Sequence, residues 1–369
     1  MTIGLILDDT LDRSDGVQQS VLAIGNELSA RGHNVHYIVA ETKRTDIKNV
    51  HSIAKYFSIS FNGNSVRTPL PTSKKKIRAL FSEIKFDVLH VQMPYSPLFA
   101  AKVLRLAPNY VTKIGTFHIL PYNFIAKIGT KILGLLLLRN KKLLKHSFAV
   151  SKPANEFMRE SFGINSGTVL ANPVDYGFYN SFNKKAQTKK LIVFVGRFEK
   201  RKGVKELIQA YSQLTNDLIK NSRLIMCGKG PMLDEMKQLA HTLDVDIYFP
   251  GFVSDDQKAH YLTDADIAVF PSISGESFGI VLTEAMSAGS GITIGGNNPG
   301  YASVLEPWPE TMFNPKDIKS FSAKLSNLLR DDKKRIEIGR IQHKTAKQYD
   351  INAIADTLED YYKSIDRVK

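Results

Sequence analysis

Leu191-Ile192-Val193-Phe194-Val195-Gly196-Arg197-Phe198-Glu199-Lys200-Arg201-Lys202-Gly203-Val204 reads in three parts. A run of five large apolar residues is followed by a basic loop bounded by glycines, and then by the start of a helix-periodic segment, Val204–Leu214. The run Leu191–Val195 shows no polar alternation, which marks a strand covered on both faces, as parallel sheets are. Strand, loop and helix together form one βα unit. The pattern repeats downstream as strand Leu224–Cys227, helix Met232–Leu243, strand Ile247–Phe249, helix Asp256–Leu262, strand Ile267–Phe270, helix Phe278–Ala288 and strand Ile292–Ile294. Strands separated by helix-length segments predict a parallel, doubly wound sheet.

The first half carries the same alternation. Thr2–Leu7 reads as a strand, and Val17, Val21, Ile24 and Leu28 stripe a helix that Gly32 is placed to terminate. Further strands are expected at Val35–Ala40, Val88–Gln92, Lys113–His118, Phe148–Ser151 and Val169–Asn172. The polar stretch Asn180–Lys190 lacks apolar periodicity and reads as a linker. The expected organisation is therefore two α/β domains, residues 1–180 and 181–350. An amphipathic helix within 351–369 is expected to pack back on the first. Ligands of such sheets sit beyond the carboxyl ends of the strands, so a crevice between two facing domains is the expected active site.

Composition narrows the chemistry. The 369 residues include one cysteine, Cys227, which excludes an internal disulfide framework and suits a reducing compartment. The net charge is +14, from 50 Lys and Arg against 36 Asp and Glu. Residues 1–185 hold 25 basic and 12 acidic residues, so nearly all the excess lies in the first half. Between Asp87 and Glu156 there are ten Lys and Arg and no acidic residue, which points to an anionic contact. Within that span, Ile125–Lys145 sets an apolar side beside Lys127, Lys131, Arg139, Lys141, Lys142 and Lys145, as interfacial helices do. Covering the sheet is the competing explanation for its leucines. Lys74, Lys75, Lys76 and Arg78 add a second cluster. The charge would suit nucleic acid, but no nucleic-acid motif or aromatic–basic interleaving supports that partner. The apolar start Ile3–Leu7 is short and is followed by Asp8, Asp9, Asp12 and Asp15, so no signal peptide is expected. The most apolar run, Ile132–Leu138, is too short to cross a bilayer.

Two loops carry the candidate chemistry. Gly196–Gly203 follows a strand and opens a helix, bringing glycine backbone, fixed cations and helix N–H groups together, which suits a diphosphate. Gly275-Glu276-Ser277-Phe278-Gly279-Ile280-Val281-Leu282-Thr283-Glu284 follows another strand, with Ser277 as the expected N-cap. The N–H groups of Gly279–Val281 would form an anion site. Each of the two glutamates could accept a pair of vicinal sugar hydroxyls, one on a hexose and one on a ribose. A loop charge and a solvated helix residue are the plainer explanation of the same pair. A dinucleotide dehydrogenase is a weak alternative, because Gly228-Lys229-Gly230 lacks the third glycine of that fingerprint.

As a set, Glu276 and Glu284, Gly196-Arg197 with Lys202-Gly203, Asp15-Gly16-Val17-Gln18, Asp87–Val91, Thr116-Phe117-His118, Ala149-Val150-Ser151 and Asn172–Asp175 resemble the family 4 retaining glycosyltransferases of the GT-B fold. The resemblance spans essentially the whole chain and is nearest to the bacterial phosphatidylinositol mannosyltransferase branch. It implies that Gly16 contacts a donor diphosphate which Arg197 and Lys202 neutralise. It further implies that Glu276 holds the sugar, Gly279, Ile280 and Val281 the phosphate and sugar, and Glu284 the ribose. Val253, Asp255 and Lys258 would hold the base, and His118 would lie near the transferred sugar. Gln18, Asn62, Ser65 and Arg67 are the acceptor-side candidates. His118, Glu276, Arg197 and Lys202 are then the catalytic set.

The expected activity is retaining transfer of a hexose, mannose favoured, from a nucleoside diphosphate sugar to a membrane lipid such as phosphatidylinositol. GDP-mannose is the favoured donor and UDP-glucose the second. The alternatives are glucosyl or galactosyl transfer to diacylglycerol or a soluble acceptor, and an inactive scaffold that binds membrane or nucleic acid. No tightly bound cofactor and no protein metal site are expected, a divalent metal being at most stimulatory. The expected location is cytoplasmic, peripheral on the inner membrane face against anionic lipid.

Overall fold

The computed structural model describes residues 1–12, 15–61, 64–165, 167–289 and 291–366 and, outside 58–68 and 365–366, their side chains. The chain divides into two compact units. One comprises residues 1–173 with the C-terminal segment from 351, and the other residues 174–350.

The first unit is built on β1 (Thr2–Leu7), β2 (Asn34–Val39), β3 (Val50–Ser52), β4 (Tyr56–Phe61), β5 (Asn64–Pro69), β6 (Val88–Met93), β7 (Thr112–Phe117), β8 (His146–Ala149) and β9 (Gly167–Val169). Seven of these form a sheet in the order β3-β2-β1-β6-β7-β8-β9, while β4 and β5 pair as an antiparallel ribbon. Every pairing in the large sheet is parallel. The second unit has β10 (Lys190–Val195), β11 (Ser222–Cys227), β12 (Ile247–Gly251), β13 (Ile267–Phe270), β14 (Ile292–Gly296) and β15 (Met312–Phe313), ordered β12-β11-β10-β13-β14-β15 and parallel throughout. Strand order reverses between β1 and β6 in the first sheet and between β10 and β13 in the second. The carboxyl ends of those four strands are therefore where each sheet opens a crevice for a ligand.

The first unit's core joins Ile3, Leu5, Val21, Leu28, Val88, Ile114 and Phe148 to three residues of the helix Ile351–Asp366: Ile354, Leu358 and Tyr362. That helix is fastened at two further points. Tyr362 Oη meets His90 Nδ1 at 2.7 Å inside the core, and the other ring nitrogen of His90 meets Thr116 Oγ1 at 2.7 Å. On the surface Arg31 bridges Glu27, Asp356 and Glu359.

Several sequence expectations shift. The second unit begins at Val174, ahead of the expected boundary, because the short helix Tyr176–Asn180 packs on the helix Ile280–Ser287. Asn180–Lys190 is not a connector between the units but a strap within the second. Lys184 Nζ reaches Asp266 at 2.9 Å and the Lys185 amide donates to Asp264. Ser277 does not cap its helix; the helix starts at Ile280, with Gly279 at φ +106 as the N-cap residue. A side chain at Gly279 would overlap the ring of Tyr301, so the close approach and the left-handed backbone both require glycine there.

Candidate functional site

In the second unit the crevice is bounded by the loops after β10 and β13. Gly203, at φ +68, lies so close to the Pro271 carbonyl that no Cβ would fit, which presses the first loop onto the second. A single 3₁₀ turn, Lys200–Lys202, precedes the helix Val204–Ser212 and aims two of its cations at one carboxylate. Glu276 Oε1 accepts from Lys202 Nζ at 2.7 Å, Arg201 Nη1 at 3.0 Å and Ser272 Oγ at 2.9 Å. Ser272 in turn accepts from the buried Tyr301 hydroxyl at 3.2 Å. Burial pushes the Glu276 carboxyl upward, but Lys202 and Arg201 outweigh it and hold the group below its ordinary range. Burial, with Arg201 and Arg197 nearby, lowers Lys202 against the pull of Glu276.

Arg197 does not join the Glu276 cluster. It is 45% exposed and pairs with Glu199 at 3.2 Å, whereas Arg201, not singled out by sequence, reaches Glu276. The two arginines are alike in type and loop; the 3₁₀ turn alone distinguishes them.

Little more than one turn into its helix, Glu284 is buried and accepts from Lys258 Nζ at 2.8 Å. Lys258 also pairs with Asp255 at 3.1 Å and lies over the Tyr179 ring. Burial opposes the Lys258 charge, yet Glu284 and Asp255 prevail and raise it. Burial, with Glu284 beside it, pushes the Tyr179 phenol far above its usual range. The structure thus brings Asp255, Lys258 and Glu284 together. Val253 stands half-buried just before Ser254, which caps the helix Asp255–Asp264 in a capping box with Gln257. Its neighbour Phe252 is 59% exposed with Lys229 over its ring at 4.9 Å, an open aromatic face that sequence reasoning missed.

In the first unit the crevice lies at the ends of β1 and β6. Asp8 accepts from the amides of Ser96 and Ala100, and burial pushes its carboxyl up to about 7. Asp9 accepts from Gln18 Nε2 at 3.0 Å, which holds Gln18 inside; Gly16 opens the same helix, Gly16–Ala30. His118, just past β7, meets Gln92 Oε1 through Nε2 at 2.7 Å. The amide oxygen accepts, so Nε2 carries the proton and Nδ1 the lone pair. Nδ1 is buried and has no partner among the described residues, and burial brings His118 down to about 4. His90, by contrast, has both nitrogens occupied in the core and is structural. Asn62 lies outside the described residues. Ser65 and Arg67 stand on β5, opposite Ser60 and Ser58 in the ribbon.

Of the proposed surface cations, Lys74, Lys75, Lys76 and Arg78 are exposed on the helix Lys74–Glu83. Lys131, Arg139, Lys142 and Lys145 are exposed as well, while Lys127 pairs with Glu160 at 3.1 Å. Lys141 instead donates to the Phe162 carbonyl at 2.8 Å, closing a helix end. Among the described residues no three His, Cys, Asp or Glu side chains gather into a metal site, and no helix is long and apolar enough to cross a membrane.

Residues 14–178 match the model of glycosyltransferase family 4, and residues 178–345 match that of glycosyl transferases group 1. The chain carries the two domains of a glycosyltransferase, a family 4 segment followed by a group 1 segment. A curated relative, the phosphatidyl-myo-inositol mannosyltransferase of Mycolicibacterium smegmatis, is 27% identical over 374 residues, covering 99% of this chain and 94% of that protein. Among solved structures, a glycosyltransferase from Rickettsia africae superposes with a TM-score of 0.75 at 18% identity, covering 99% of this chain and 98% of that one. The Anabaena protein HepE in complex with UDP and glucose gives 0.75 at 15% identity, covering 99% of this chain and all of that one. The fold of this glycosyltransferase is GT-B, with one parallel-sheet α/β unit for each matched segment.

Proposed function

We propose that this glycosyltransferase moves mannose from GDP-mannose to phosphatidylinositol, with retention at the anomeric carbon, on the inner face of the cell membrane. The observation that carries the reading is the Lys202–Glu276–Arg201 cluster at the β10/β13 crevice. The full-length likeness to curated lipid mannosyltransferases directs it to mannose and a lipid.

In this reading Lys202 and Arg201 turn from Glu276 to the diphosphate, with Arg197 closing from the rim. Together with the first N–H groups of the helix at Ile280 and Val281, they stabilise negative charge as the leaving group departs. Glu276, released in part, accepts hydroxyls of the sugar. Glu284, steadied by Lys258, accepts from the ribose, and the backbone near Val253 meets the base. His118 stays neutral and offers Nδ1 as an acceptor to a hydroxyl, on the transferred sugar or on the lipid headgroup. No carboxylate is assigned as a nucleophile, so departure and attack share one face of the sugar. With the chain's own cations on the diphosphate, a divalent metal stimulates at most.

The test offers labelled GDP-mannose, UDP-glucose and UDP-galactose to the purified protein with vesicles containing phosphatidylinositol or diacylglycerol. The expected product is α-mannosyl phosphatidylinositol, formed from GDP-mannose alone, and Glu276→Ala should lower its rate by about 100-fold or more with the fold intact by circular dichroism. Transfer from a uridine donor, a β-linked product, or undiminished transfer by the variant would overturn the corresponding part of the reading.

A further inference from the structure

The helix Phe124–Leu136 is built inside out. Phe124, Ile125, Ile128, Ile132, Leu135 and Leu136 are all exposed, Phe124 by 75% and Leu136 by 67%. At 100° per residue these six positions share an arc of about 120°, a single unbroken apolar stripe. The opposite side carries Ala126, Thr130, Gly134 and Leu137. Gly134 approaches the helix Lys152–Phe162 so closely that a Cβ would overlap the Ser161 carbonyl, and Leu137 is buried. Small residues thus fix the helix to the body while the large apolar ones point away. Leu135, Leu136, Leu138 and Leu143 are exposed and do not cover the sheet, whereas Leu137 is buried and Leu144 packs beside Gly115 of β7.

The surroundings of the stripe are cationic. Lys131, on its flank, and Arg139, Lys142 and Lys145, just beyond its end, are exposed, and none has a carboxylate partner among the described residues. The apolar stripe continues into Leu138 and Leu143, also exposed. A protein partner of ordinary composition would answer the leucines but not the uncompensated cations. A soluble polyanion would answer the cations but not the leucines.

We propose that this helix is the surface through which the enzyme inserts into an anionic lipid monolayer, the stripe entering the acyl boundary and the flanking cations resting on headgroup phosphates. The choice of a lipid surface rests on the reading of the acceptor as a membrane lipid and names the element that docks there. An interfacial helix of this kind binds by apolar area and by attraction to anionic lipid together. Lys141 and Lys127 are left out of the contact, because both are engaged within the unit.

The experiment compares the full chain with Ile132→Asp/Leu135→Asp, which places charge on the stripe without touching the packed side. Binding is measured by sedimentation with vesicles of phosphatidylcholine alone and with added phosphatidylglycerol. Transfer is assayed on vesicle phosphatidylinositol and on its water-soluble dihexanoyl form. The proposal expects sedimentation only with anionic vesicles, lowered about tenfold or more by the double substitution. It also expects transfer to fall on vesicles and to hold on the soluble acceptor. Unchanged sedimentation of the variant overturns it, even if lipid mannosylation stands. A dimer in sedimentation equilibrium that the substitutions dissociate, with vesicle binding unchanged, overturns it in favour of a second copy as the occupant. Loss of vesicle binding in the variant supports it even if no mannolipid forms, in which case the acceptor reading fails alone.

Discussion

A carboxylate that receives a lysine, an arginine and a serine on one oxygen already has its charge compensated within the protein. Glu276 is in this state, and the same cations are the ones a diphosphate would need. Under the proposed function, donor binding would be an exchange of anions at Lys202 and Arg201 rather than the filling of bare positive charge. That exchange reduces the cost of holding two buried cations side by side. Asp8 is the contrasting residue, a half-buried carboxyl with amide donors and no cation partner among the described residues. Its native pKa of about 7 lies above the unfolded carboxylate value near 3.9. The folded state therefore holds the proton more tightly, and its stability falls as pH rises from 4 to 7, levelling off above. The loss attributable to Asp8 amounts to about 4 kcal/mol at most. Asp8→Asn removes this slope, so the difference between variant and parent in urea midpoint should grow in the variant's favour from pH 4.5 to 7.5. Parallel curves would show that Asp8 ionises normally.

At the scale of elements, the helix Ile351–Asp366 contributes to a core whose strands lie far earlier in the chain. Leu358 is fully buried among them, so Leu358→Ala should cost about 2–5 kcal/mol, read from chemical denaturation. Tyr362→Phe leaves His90 Nδ1 buried without its partner and should cost about 1–3 kcal/mol. The apolar strands of both sheets were legible because they are covered on two faces and read as continuous runs. The edge strands β3 and β15 were not, being only three and two residues long, and neither was the antiparallel ribbon β4–β5. The same limit applies to the sites. Glu276, Glu284 and Lys202 stood out by spacing and by the strand–loop–helix context. That Arg201 rather than Arg197 reaches Glu276 depends on one 3₁₀ turn, and that Asp8 meets two amides depends on the packing of Ser96 and Ala100. Periodicity announces that Phe124–Leu136 is amphipathic. Which side faces out is decided by Gly134 against Ser161, a contact between residues of two different helices.

For the whole molecule, the governing fact is that residues 174–350 are inserted between two pieces of the other unit. The inserted unit has its own sheet and its own buried strands, and lies in the size range of an independent domain, about 50–250 residues. The host unit is not continuous: cut at Pro173, it loses Ile354, Leu358 and Tyr362 from its core and the partner of a buried histidine. Residues 174–350 produced alone should therefore unfold in a single cooperative urea transition. Residues 1–173 alone should lack such a transition and expose apolar surface to a dye. Adding a peptide of residues 351–369 should restore it with saturable dependence on peptide concentration, because the missing helix supplies packing rather than a covalent link. The Leu358→Ala peptide should require a markedly higher concentration. A cooperative transition in residues 1–173 without peptide would mean that the nine strands and their own helices suffice. The C-terminal helix would then add stability to the host unit without completing its fold.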